Sequence, residues 1–237
     1  MRSSVNRFLM AGALLCGAAA ANAQARPAVV ELFTSEGCSS CPPAEAYVGE
    51  LALRGDVLAL TFHVDYWDDL GWRDRFGLPE SVQRQRSYAN ALQLSSVFTP
   101  QVVVDGRDSF VGSDRIGIGR ALSETRTGVA VSVSMHDGEL SIDVAAQTGA
   151  APSEVVLIAY QRSAISPIGR GENAGRTIQE FNIVRGFHRL GLWDGRSQRY
   201  KARVDSLPSG ATNVAILIQR LGQAPIIGAA TMALGVK

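Results

Sequence analysis

The chain has 237 residues, of which 46% are hydrophobic and 19% are charged, and its formal net charge is +1. A balance this close to neutral argues against a surface that binds nucleic acid through the phosphates, so we expect no nucleic-acid partner. The length exceeds that of an average domain and leaves room for two hydrophobic cores.

The first two dozen residues have the pattern of a secretory signal peptide. Arg2 and Arg7 precede an apolar stretch over residues 8–21, and the triplet ANA at 21–23 offers the small residues at which a signal peptidase cleaves. We therefore expect residues 1–23 to be removed and the mature protein to be periplasmic or secreted. The apolar stretch is too short to span a membrane comfortably, so we expect no membrane attachment after cleavage.

The cysteines indicate a disulfide-forming site. Cys16 lies in the leader, which leaves Cys38 and Cys41 in the mature chain, separated by two serines. An even number of cysteines in an oxidising compartment favours a disulfide. A Cys-x-x-Cys pair also occurs at zinc sites, but zinc needs two more ligands, and the sequence has no second cysteine pair and no close histidine pair. We therefore expect no resident metal.

The segment after the leader predicts an α/β domain over residues 24–127. Buried strands are predicted at Ala28–Phe33 and Val57–His63, with a helix that Pro43 opens between them, and such a crossover is parallel and right-handed. The later elements are a polar helix from Pro79 to about Leu92, a hairpin of Gln101–Val104 and Ser109–Val111, and a helix that Ser113 or Asp114 caps. The predicted order is β-α-β-α-β-β-α.

The hydrophobic period changes after Gly128, where apolar and polar residues begin to alternate. The predicted strands are Val129–Met135, Leu140–Val144, Val155–Tyr160, Asn182–Phe187, Arg199–Val204, Val214–Gln219 and Ile226–Met232. Seven short strands with turn signals between them predict an all-β, sandwich-like domain over residues 128–237.

Four segments carry a resemblance to a known family. They are Glu31–Glu45 (ELFTSEGCSSCPPAE), Phe62–Trp72 (FHVDYWDDLGW), Phe98–Gly106 (FTPQVVVDG) and Arg170–Arg176 (RGENAGR). Through them the chain resembles a bacterial family of secreted proteins with a thioredoxin-like fold and no assigned function. The resemblance covers nearly the whole mature chain. It implies the fold and the export, but it supplies no substrate.

The wider similarity to thioredoxins implies roles for individual residues. Cys38, expected nearer the solvent, would be the nucleophile, Cys41 would be the resolving thiol, and Pro100 after Thr99 would be the cis-proline beside the dithiol. A strand-loop-helix context suits this chemistry, because the N-terminus of a helix stabilises a thiolate.

Two features depart from the thioredoxin pattern. Gly37 stands where an aromatic residue usually precedes the first cysteine. Pro42 and Pro43 follow the second cysteine directly, and a residue before proline is disfavoured in helical conformation. We therefore expect the helix to begin around Pro43 and Cys38 to lie beyond its strongest field.

Several polar residues have two interpretations each. His63 ends a predicted strand with Asp65 two residues later on the same side, which suggests a proton relay, or a buried histidine bonded to Asp65 or to backbone. Glu31 lies within a buried strand, where it either pairs with a neighbour or faces the dithiol as a proton acceptor.

The aromatic residues and one glycine-rich stretch are also open to two interpretations. Tyr66, Trp67 and Trp72 could line a peptide-binding cleft or cover the sheet edge. Ile168–Thr177 could bind an anion or a partner, but it lacks the context and the lysine of a phosphate loop, so an ordered connection between strands is favoured.

The sequence thus predicts thiol–disulfide exchange on a protein partner, through protein thiols or disulfides and without a cofactor. One alternative is Cu(I) binding by Cys38, Cys41 and His63, because thiolates suit that ion. The other is a binding module in which the disulfide is structural. The direction of the redox chemistry and the oligomeric state do not follow from the sequence.

Overall fold

A computed structural model describes residues 24–222 and 225–235 of the chain. The predicted leader, residues 1–23, lies outside the described residues. Across the described ranges, the strands form one sheet of eight, one sheet of three and one pair. No helix in this part of the chain has the length and the apolar content needed to cross a bilayer.

Most elements lie close to their predicted positions. The helices are α1 (Pro42–Leu51), α2 (Pro79–Ala91) and α3 (Arg115–Leu122). The strands are β1 (Gln24–Ala25), β2 (Ala28–Thr34), β3 (Val57–His63), β4 (Gln101–Val104), β5 (Asp108–Val111), β6 (Thr127–Gly128), β7 (Val131–His136), β8 (Glu139–Val144), β9 (Ser153–Pro167), β10 (Thr177–Trp193), β11 (Gln198–Arg203), β12 (Asn213–Arg220) and β13 (Ile226–Ala233). The pair of β1 and β6 was not predicted, and β9 and β10 are much longer than predicted.

The large sheet has the strand order β13-β12-β9-β10-β3-β2-β4-β5. β3 is parallel to β2 along its whole length and to β10 at the single pair Ile183 and Thr61, while the other neighbours are antiparallel. The β4–β5 hairpin turns at Asp105 and Gly106, whose φ angles of 50° and 65° explain the Asp-Gly pair.

Both faces of this sheet are covered around β2 and β3, as their mostly apolar sequences predict. Side chains alternate along β2: Val30 and Leu32 pack with α1 and α3, whereas Val29 and Phe33 pack on the opposite face with α2. The cluster on the α2 face also contains Val156 and other residues from β9 and β12.

The C-terminal strands divide between two sheets. β9, β10, β12 and β13 extend the large sheet, while β7, β8 and β11 form the three-stranded sheet. Ile142 of β8, Leu157 of β9 and Ile216 of β12 belong to one buried cluster between them. The large sheet and its core therefore contain residues from both sides of the boundary expected at residue 127, and the division into two domains stays a prediction.

A buried ion pair between Arg84 of α2 and Glu31 of β2 lies between this helix and the large sheet. Arg84 Nε donates to Glu31 Oε1 at 2.7 Å, Tyr88 donates to the other oxygen of Glu31, and Gln219 joins the network through Arg84 and Tyr88. The side chains of Glu31 and Arg84 are 0% and 4% exposed. Glu31 is thus paired with a neighbour, on the face of the sheet opposite α1.

Arg84→Met should destabilise the protein by about 3–5 kcal/mol, because it leaves the Glu31 carboxylate buried without a countercharge. Arg199→Met, which breaks an exposed pair with Asp143, should have a much smaller effect. Urea unfolding of both variants measures the difference. Equal losses would contradict a special contribution of the buried pair.

Candidate functional site

The two cysteines form a disulfide in the loop that joins β2 to α1, with their Cα atoms 5.4 Å apart. The loop is tightly turned, since Cys38 N–H donates to Ser35 O at 3.0 Å and Cys41 N–H donates to Cys38 O at 3.2 Å. Cys41 is the N-cap of α1, which begins at Pro42, one residue earlier than expected.

The expected difference in exposure between the cysteines was wrong. Cys38 and Cys41 are both 0% exposed, and only Ser39 and Ser40 between them are exposed. Burial arises because the tight turns direct the cysteines inward and neighbouring segments pack against the loop. A partner sulfur therefore has no direct access to either cysteine in this conformation.

The start of α1 offers little hydrogen bonding to a thiolate. Pro42 and Pro43 occupy the first two helical positions and have no N–H group. The next two amides, those of Ala44 and Glu45, both donate to the carbonyl of Cys41, at 2.9 and 3.1 Å. Stabilisation of a cysteine thiolate must therefore come mainly from other groups.

At Cys38, two hydroxyl groups lie within hydrogen-bonding distance of the sulfur. Thr99 Oγ1 donates to Cys38 Sγ at 3.4 Å, and Ser40 Oγ lies at the same distance from that sulfur. Trp67 Nε1 donates to Thr99 Oγ1 at 2.9 Å, which leaves the Thr99 proton for the sulfur. The chain from Trp67 through Thr99 thus directs one donor at Cys38.

The Thr99–Pro100 peptide bond is cis, as the similarity to thioredoxins implied. Pro100 O accepts from Gly112 N–H at 2.9 Å. A Cβ atom on Gly112 would lie 2.8 Å from Pro100 Cβ and 2.7 Å from Ala44 Cβ, so this glycine allows Pro100 to pack close to the first turn of α1.

A buried histidine lies at the end of β3, on the α1 side of the sheet. His63 is 0% exposed, and its Nδ1 lies 2.7 Å from Asp74 Oδ2. The partner that the sequence suggested was Asp65, but Asp65 follows the strand in a loop, and it is Asp74, eleven residues from His63, that folds back onto the ring. His63 Nε2 lies 3.8 Å from Glu180 Oε1 of β10.

Further buried carboxylates surround this pair. Glu45 of α1 accepts from Thr34 Oγ1 at 2.7 Å, and Glu36 accepts from Trp72 Nε1 at 2.6 Å. Glu36 N–H donates to Asp74 Oδ2 at 2.8 Å, which joins the loop of residues 35–41, the Cys loop, to the pair of His63 and Asp74. The cluster therefore contains four buried carboxylates and one imidazole.

The electrostatics of the cluster follow from burial and from these charges. Burial lowers the pKa of His63, but the charges of Asp74, Glu180 and Glu45 outweigh it and raise the pKa to about 9. Burial raises the pKa of Glu180 to about 7, although His63 opposes the rise. Burial also raises the pKa of Glu45. The charged form of the histidine is therefore favoured around neutral pH, and the pKa of Glu180 lies well above that of an exposed carboxyl.

The glycine-rich stretch, expected as a connection between strands, joins β9 to β10 and lies against the Cys loop. Asn173 Nδ2 donates to the carbonyls of Glu36 and Cys38, in each case at 2.9 Å, and Glu172 accepts from Ser39 N–H at 3.3 Å. This contact, between residues more than 130 positions apart, was not predicted.

The other predicted residues are placed as follows. Trp67 and Trp72 are half-buried and act as internal donors, whereas Tyr66 is 38% exposed and donates to Gln85 Oε1. Among the described residues, no group of three His, Cys, Asp or Glu side chains is placed to hold a metal ion. The suggested set of Cys38, Cys41 and His63 is thus not brought together as ligands.

Some residues of the site that were not predicted nevertheless have a local signal in the sequence. Glu45 follows Cys41 by four positions, one helical turn, and so lies on the same side of α1. Asn173 lies within the RGENAGR segment. Asp74 and Glu180 had no comparable signal, because both reach His63 only through tertiary folding.

The His63 cluster should make stability fall with rising pH. The raised pKa of His63 means that its protonation stabilises the fold fully below about 6.5, and this contribution is lost as the pH rises to about 9. Glu180 acts in the same direction between about 4.5 and 7. The free energy of unfolding in urea should therefore be lower at pH 9 than at pH 6.5, with a smaller fall in Asp74→Asn. Equal stability at the two pH values would contradict the assignment.

Thr99 should control the reactivity of Cys38. In reduced Cys41→Ser, Thr99→Val removes the hydroxyl donor and should slow alkylation of Cys38 by iodoacetamide at pH 7 roughly fivefold, the equivalent of one hydrogen bond. Thr99→Ser keeps the hydroxyl and serves as the control. The same rate for both variants would show that the hydroxyl does not act on the sulfur.

The family of the chain follows from its similarity to known proteins. A family model described as "Protein of unknown function (DUF1223)" matches residues 29–219. A protein from Agrobacterium tumefaciens with a known crystal structure is 32% identical in sequence to this chain. The two structures match with a TM-score of 0.78 over 90% of this chain and 96% of that chain. HBP35 of Porphyromonas gingivalis is 13% identical, with a TM-score of 0.60, over 89% and 76% of the two chains, a likeness of fold alone. No curated protein matches the chain. The chain belongs to the DUF1223 family of proteins of unknown function.

Proposed function

We propose that the protein is an exported, thioredoxin-like thiol–disulfide exchange protein whose partners are protein thiols or disulfides. The observation that carries the proposal is the placement of the Cys38–Cys41 disulfide between the buried strand β2 and α1. A donor chain ends at Cys38 Sγ, and the cis-proline Pro100 follows Thr99 directly. Two cysteines in such surroundings can exchange disulfides without a cofactor.

The topology around the disulfide supports the thioredoxin-like part of the proposal. β2, α1 and β3 form a parallel crossover, and β4 and β5 continue the sheet as an antiparallel hairpin. Helices cover both faces of these strands. The strands after Gly128 would form the sandwich-like region, with the three-stranded sheet packed against the end of the large one.

The export part rests on the leader pattern in residues 1–23 and on the cysteine count. After cleavage Cys38 and Cys41 are the only cysteines, and they are joined to each other. A disulfide of this kind persists in the oxidising compartments outside the cytoplasm.

The exchange reaction transfers two electrons between sulfur atoms. A partner thiolate attacks Cys38 Sγ, the Cys38–Cys41 bond breaks, and Cys41 leaves as a thiolate that takes up a proton. A second partner thiolate then attacks the partner sulfur of the mixed disulfide and releases Cys38. The partner gains a disulfide, and the protein is left as a dithiol. The reverse sequence reduces a partner disulfide.

A second candidate function is favoured by the burial of the disulfide. Both cysteines are 0% exposed, which is also the environment of a disulfide that only stabilises its loop. In that case the protein would be a binding module. The two functions differ in whether the isolated thiols react while the fold is intact.

Single-cysteine variants distinguish the two candidates. Cys41→Ser should form a stable mixed disulfide with a model peptide that carries an activated disulfide, because the attacking thiol remains and the resolving thiol is gone. Cys38→Ser should react at least several-fold more slowly, since the hydroxyls of Thr99 and Ser40 lie against the sulfur of Cys38, which this variant lacks. Mass spectrometry of the products over time measures both rates.

The variant that lacks both cysteines is the control and should form no adduct. If neither single-cysteine variant reacts until the protein unfolds, the exchange proposal fails and the structural disulfide replaces it.

A further inference from the structure

The loop Ile168–Arg176 makes a contact that the exchange reaction itself does not use. Its Asn173 is 0% exposed and donates to the carbonyls of Glu36 and Cys38, in each case at 2.9 Å. Glu172, next to it, accepts from Ser39 N–H at 3.3 Å. Two neighbouring residues of one loop thus bind three backbone groups within the four residues from Glu36 to Ser39.

The loop is built to present Asn173 in this position. Ile168 N–H donates to Arg176 O at 2.9 Å, and Gly175 N–H donates back to Ile168 O at 2.8 Å, which closes the base of the loop. Gly171 has a φ of 74°, and a Cβ atom there would lie 3.1 Å from Trp72 Cβ. A side chain at Gly171 would thus be strained and crowded. Glycine lets the loop pack closely against Trp72, whose ring N–H donates to Glu36.

We propose that Asn173 is a positioning residue for the disulfide and that the Ile168–Arg176 loop holds it closed against reaction partners. The inference rests on the proposed exchange function. An attacking sulfur must approach Cys38 in line with the disulfide, and neither cysteine is exposed. The Cys loop must therefore shift before reaction, and the two Asn173 hydrogen bonds hold it in place.

This arrangement also defines the chemistry of a suitable partner. When Asn173 withdraws, the carbonyls of Glu36 and Cys38 become free acceptors beside the reactive sulfur. An extended polypeptide segment can satisfy them with its own backbone N–H groups, so that the open form is kept only while a peptide is bound. A small thiol cannot replace these bonds. The loop thus favours cysteines in extended or unfolded protein segments.

The rate at which a water-soluble trialkylphosphine reduces the disulfide tests the inference without any partner. The phosphine becomes a phosphine oxide with oxygen from water, and the disulfide becomes two thiols. Asn173→Ala should be reduced about 25-fold faster than the unchanged protein, because it loses two hydrogen bonds and each loss favours opening by roughly fivefold. Asn173→Asp should react faster still, because a carboxylate would face two carbonyls.

Arg170→Ala is the matched control, since Arg170 is an exposed residue of the same loop, and it should react like the unchanged protein. Melting temperatures separate positioning from stability. If Asn173 had a purely structural role, Asn173→Ala would have a lower melting temperature. Its reduction rate, measured well below that temperature, would then lie within about twofold of the rate of the unchanged protein. That result would overturn the inference.

A measurement on the unchanged protein covers the case in which the variants do not fold. Opening of one loop exposes little surface, so low urea concentrations should accelerate phosphine reduction only weakly. A urea dependence as steep as that of global unfolding would overturn the inference. Failure of the exchange function is separate, because it is judged from the single-cysteine variants and the peptide.

Discussion

The ion pair between His63 and Asp74 is the contact on which the surroundings of the disulfide depend. It joins the end of β3 to the loop that follows, and through Glu36 N–H it also holds the segment that leads into Cys38. Glu180 brings β10 to the other side of the same ring. Each of these charges would be costly to bury alone, so the segments that carry them stabilise one another. Loss of His63 would leave the Asp74 carboxylate buried without its countercharge, beneath the helix that follows the disulfide.

Local patterns in the sequence predicted most of the elements around the site. β3 and β4 occupy their predicted residues, and Asp114 caps α3 as one of two expected residues. These predictions rest on hydrophobic period and turn residues, which act over a few positions. The length of β9 could not be predicted in this way, because residues 161–165 are exposed or half-buried and are held in the strand by pairing with β10.

The site itself could be predicted only in part. The cysteines were recognised because they lie between a predicted strand and a helix, and Thr99 and Pro100 through the similarity to thioredoxins; the structure brings Thr99 against Cys38. The polar groups that surround them come from distant parts of the chain. Asn173 lies 135 positions from Cys38, and no periodicity in the sequence links the two. Hydrogen bonds of this kind depend on the completed fold, so they become visible only in the structure.

The two prolines at the start of α1 have a consequence for the resting oxidation state. A dithiol becomes strongly oxidising when its reduced form is stabilised, and free amides at a helix start are one source of that stabilisation. Pro42 and Pro43 remove two such amides, and the following two are already bonded to Cys41 O. The reduced pair therefore gains less from the helix, and the equilibrium shifts toward the closed disulfide. In an oxidising environment, the disulfide would be formed in most molecules of the protein.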